Sequence, residues 1–103
     1  MRPIGLWDAV RFTLLGQNVL QAYRQQLANL DTAIAQYPSV ASNYMKRGEF
    51  FLAQGYYARA EKDLREALRL AEVDYQTRSW GIVAQSIRDQ AAQQLAVAER
   101  KQR

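Results

Sequence analysis

The chain has 103 residues and a net charge of +4, a length that suits one domain rather than several. Hydrophobic residues make up 49% of it, too many for a disordered tail. It contains no cysteine and no histidine, which excludes disulfides, thiolate metal sites, cysteine nucleophiles and the usual acid–base residue at neutral pH.

Alanine, leucine, glutamine, arginine and glutamate dominate the chain, and all are strong helix formers. The composition predicts an all-α fold, read as a single domain over 1–103. The opening, Met1 to Trp7, is followed at once by Asp8 and Arg11, which interrupt any apolar leader. No run approaches the eighteen or so apolar residues of a membrane span. The expected location is therefore cytoplasmic, or peripheral to a membrane complex.

From about Leu6 to Tyr37 the sequence has helical composition. Trp7, Val10, Leu14 and Leu15 share one helix face, and Tyr23, Leu27, Leu30 and Ile34 repeat the pattern. Gly16-Gln17-Asn18 is the only candidate breaker, so the segment reads as one long helix or two. Pro38 ends it, because the residue before a proline is pushed out of helical geometry. Ser39 and Ser42 offer capping oxygens to the next helix, which carries Tyr44, Gly48, Phe51 and Leu52 on one side and stops at Gln54-Gly55. A third helix starts near Tyr57 with Ala60, Leu64, Ala67, Leu68 and Ala71 along one stripe. Its charged face pairs Glu61 with Arg65 and Lys62 with Glu66 at helical spacing. A polar joint, Glu72 to Arg78, leads to a final helix with Trp80, Val83, Ala84, Ile87, Ala91 and Leu95. That helix becomes polar toward its end, as a capping helix does.

Residues 41–74 resemble a tetratricopeptide repeat, a unit of about 34 residues. The resemblance rests on Tyr44, Gly48, Phe51, Gly55 and Tyr57, followed by Ala60, Leu64, Ala67 and Leu68 in small-large-small-large order. Gly48 and Ala60 would let two antiparallel helices approach, Tyr44, Phe51 and Leu64 would fill the space beside them, and Gly55 would allow the tight turn. Glu72 stands where the family has its usual proline. Residues 7–40 read as a degenerate repeat or a long helix, and 75–103 as a capping helix with a basic tail. The expected architecture is a tetratricopeptide-like solenoid fragment of four to five helices.

The resemblance implies a protein or peptide partner held on a concave surface of first helices. Ser42, Met45, Glu49 and Leu52 take the groove positions in the clear repeat. By looser analogy Arg78, Gly81, Gln85 and Arg88 line the next helix. Met45 and Glu49 stand where carboxylate-clamp proteins of the family need lysine and asparagine, so a chaperone co-factor role is not expected. The chain reads as a non-catalytic adaptor, scaffold or assembly factor without a cofactor or metal. Few repeats leave exposed ends, which makes a homo-oligomer a further option.

A second reading starts from Leu6, Trp7, Val10, Phe12 and Leu14, an apolar opening that would suit an interfacial helix of a membrane-complex assembly factor. Packing against the repeat is the more economical account, because the helix itself lacks the lysines typical of such anchors. Nucleic acid is the least expected partner. Arg78, Arg88, Arg100, Lys101 and Arg103 are widely spaced and have no aromatic stacking platform. No phosphate-binding glycine loop or nucleophile elbow supports an enzyme.

Overall fold

The computed structural model describes residues 6–77 and 81–103, with side chains from Gly16 onward. Four α-helices and no strand are found among the described residues: α1 (Leu6–Gln36), α2 (Ala41–Ala53), α3 (Tyr57–Thr77) and α4 (Gly81–Lys101). The molecule measures 63 × 33 × 20 Å. Its long dimension reflects α1, whose 31 residues rise about 46 Å at 1.5 Å each.

Helix α1 is continuous, so Gly16-Gln17-Asn18 does not divide it and no helix pair forms over 7–40. A single glycine weakens a helix by only about 1 kcal/mol, too little to break one with strong formers on either side. At the other end Tyr37 N–H still donates to the Ala33 carbonyl at 2.9 Å, and Pro38 then stops the helix.

The start of α2 differs from the sequence expectation. Its N-cap is Val40, with no side-chain capping bond, so neither Ser39 nor Ser42 caps it. The Val40 carbonyl instead accepts from Asn43 N–H at 3.2 Å. The turn between α2 and α3 passes through Gly55 at φ +82°, a left-handed conformation that costs a side-chain-bearing residue free energy and glycine little. The polar stretch after Glu72 is helical through Thr77, and so belongs to α3 rather than to a joint. Arg78 and Trp80 lie outside the described residues.

Helices α2 and α3 form a tight antiparallel pair. A Cβ placed on Gly48 would lie 2.8 Å from Leu64 Cγ and 3.4 Å from the Ala60 carbonyl oxygen, so the glycine sets how closely the two backbones approach. Leu64, Ala60 and Ala67 are completely buried beside it. Burying the leucine contributes about 2 kcal/mol. The same cluster takes in Met45, Phe50 and Phe51 from α2 and Ala91, Leu95 and Ala98 from α4, with Tyr23, Leu27 and Leu30 of α1 packed against it. The small residues of α4 let it lie close along α3.

Polar contacts fix the order and direction of the helices. Arg47 of α2 donates to both carboxylate oxygens of Asp63 on α3, at 2.7 and 2.8 Å, and to Asp31 of α1 at 2.9 Å. Tyr23 of α1 rests against Phe50 with ring centroids 4.9 Å apart, and Asn43 donates to the Ala33 carbonyl at 3.4 Å. Early α2 therefore meets late α1, and the end of α2 meets the middle of α1. On the far side Arg88 of α4 donates to Glu72 at 3.1 Å, Arg65 to Glu99 at 2.9 Å, and Gln102 to Glu61 at 2.7 Å. Helix α4 thus runs antiparallel to α3 along its whole length.

Candidate interaction surfaces

The groove positions read from the sequence meet different fates. Met45 is only 8% exposed and belongs to the core with Phe50, Leu64 and Ala91. It does not line an open groove, which corrects that expectation. The reason is α4, whose alanines and Leu95 cover this side of the α2–α3 pair. Leu52 is half-buried against the same cluster. Glu49, also half-buried, accepts a hydrogen bond from Gln94 Nε2 at 2.8 Å, while the Gln94 carbonyl oxygen is buried without a partner. The glutamate therefore ties α2 to α4. Arg88 is held by Glu72 and lies over the Tyr75 ring, 4.7 Å from its centroid. Ser42 is half-buried, and Arg78 lies outside the described residues.

What the structure opens instead is a cleft between the starts of α2 and α4. Val40, Ala41 and Ser42 line one wall, Val83, Ala84 and Ile87 the other, with Asp74 of α3 at its end. Its rim is apolar and open: Val40 is 41% exposed and Val83 54%. The pattern in 75–103 gave Val83 and Ile87 as apolar positions but could not show that the early turns of α4 run ahead of the core.

A second surface lies at the opposite end, around the α2–α3 turn. Gly16, Val19, Leu20 and Tyr23 of α1 form a shelf with Gln54 and Tyr56. Arg59 stands over two rings here, 5.8 Å from the Phe51 centroid and 5.5 Å from that of Tyr56. Desolvation pushes the Tyr23 hydroxyl above its ordinary pKa, Tyr56 adds to this, and the Arg59 charge opposes it. The backbone of α1 is helical at Leu6, Trp7, Val10, Phe12 and Leu14, but their side chains lie outside the described residues.

The charged face of α3 is paired differently from its simplest spacing. Glu61 bonds Arg65 as expected, whereas Glu66 takes Arg69 at 2.6 Å and leaves Lys62 without an ion pair among the described residues. A fork of two guanidinium bonds outcompetes a single ammonium contact. The hydrogen bonds from Arg65 and then Gln102 hold the Glu61 carboxyl below its ordinary pKa; Arg69 does the same for Glu66, and Arg88 followed by Gln76 for Glu72. No group of three or more histidine, cysteine, aspartate or glutamate residues suited to a metal occurs among the described residues. No protein-family model matches the sequence, and no curated protein or solved structure is similar to it.

Proposed function

We propose that this chain is a non-catalytic protein–protein interaction module, a tetratricopeptide-like helix pair flanked by α1 and α4, that takes up an apolar segment of a partner protein in the α2–α4 cleft. The observation that carries the reading is the rim of that cleft. Val40 and Val83 stand exposed on the two walls of an open recess, and exposed apolar clusters of this kind mark interaction sites. The tight pairing at Gly48 and the small-large-small-large order of Ala60, Leu64, Ala67 and Leu68 support the repeat-like character. Burial of Met45 moves the proposed contact from the middle of α2 to its first turn.

The test is co-purification of tagged protein from its native host, with the Val40→Glu/Val83→Glu variant in parallel. A partner captured by the wild type and lost from the variant supports an adaptor that binds through the cleft. Retention of the same partner by the variant places the contact elsewhere. Met45→Glu is unsuitable for this purpose, because it would bury a carboxylate in the core and unfold the protein.

A further inference from the structure

We draw no further inference here: the strongest candidate, the basic surface patch where Arg59 and Lys62 at the start of α3 meet Arg100, Lys101 and Arg103 at the end of α4, carries nothing because nothing in the structure shows what covers it.

Discussion

Gly48 shows how one missing side chain sets the distance between two helices. Its position leaves no room for a Cβ against Leu64, so Gly48→Ala forces the leucine aside. Overpacking costs about 1–3 kcal/mol, and better helix propensity returns about 1. The expected net loss is about 1–2 kcal/mol, read as a melting temperature lower by several degrees; Gly48→Leu should cost more. A melting temperature unchanged in both variants would remove the close-approach argument. Asp63 is the other decisive residue, 3% exposed and held by two hydrogen bonds from Arg47. Asp63→Asn should cost about 1–3 kcal/mol in urea unfolding, because it deprives a partly buried guanidinium of its main counter-charge. The cost falls short of a fully buried pair because Asp31 still bonds Arg47. The resemblance to the repeat marked Gly48 as a small position on the helix interface. Arg47 and Asp63 looked like ordinary surface charges, since nothing local in the sequence marks a pair joined across two helices.

At the scale of elements, α3 is the strut of the molecule. It packs on α2 with Ala60, Leu64 and Ala67, holds Arg47 of α2 through Asp63, and carries a row of glutamates and arginines on another side. Glu61, Glu66 and Glu72 are all held below their ordinary pKa by arginine or glutamine hydrogen bonds. The unfolded chain therefore takes up protons first as the pH falls. The stabilisation is fully present above the unfolded glutamate value of about 4.3 and is lost as the pH drops through the lower folded values. Melting temperatures measured from neutral pH into this acid range should fall. An Arg65→Gln/Arg69→Gln/Arg88→Gln variant should flatten that fall, and an unaltered acid limb would show that these pairs contribute nothing. Helix α1 behaves differently: it adds Tyr23, Leu27 and Leu30 to the edge of the core. Its continuity through Gly16 could not be read from local signals, where a weak breaker and a helical average compete on nearly equal terms.

On the scale of the whole molecule, a short row of apolar side chains joins α1 to the other three helices. The body is a layer of α2, α3 and α4 with the second half of α1 laid across it, closed by Tyr23, Leu27 and Leu30. Leu27→Ala/Leu30→Ala should lower the melting temperature measured by calorimetry by several degrees, because it leaves a gap between α1 and the core. An unchanged melting temperature would show that this seam contributes nothing to stability.

The sequence determined the helical class, the stop at Pro38, the turn at Gly55 and the side of α3 that faces inward. Each depends on residues within one or two turns of each other, where backbone sterics and the 3.6-residue period dominate. Tertiary structure decided the rest. It buried Met45 under α4 and carried Glu49 to Gln94. It also joined Arg47 to Asp63 and brought the cations at the start of α3 and the end of α4 to one end of the molecule. Those outcomes depend on which helix lies beside which and in what direction. Packing of small residues and long-range ion pairs sets that arrangement between positions tens of residues apart, beyond the reach of any periodicity along the chain.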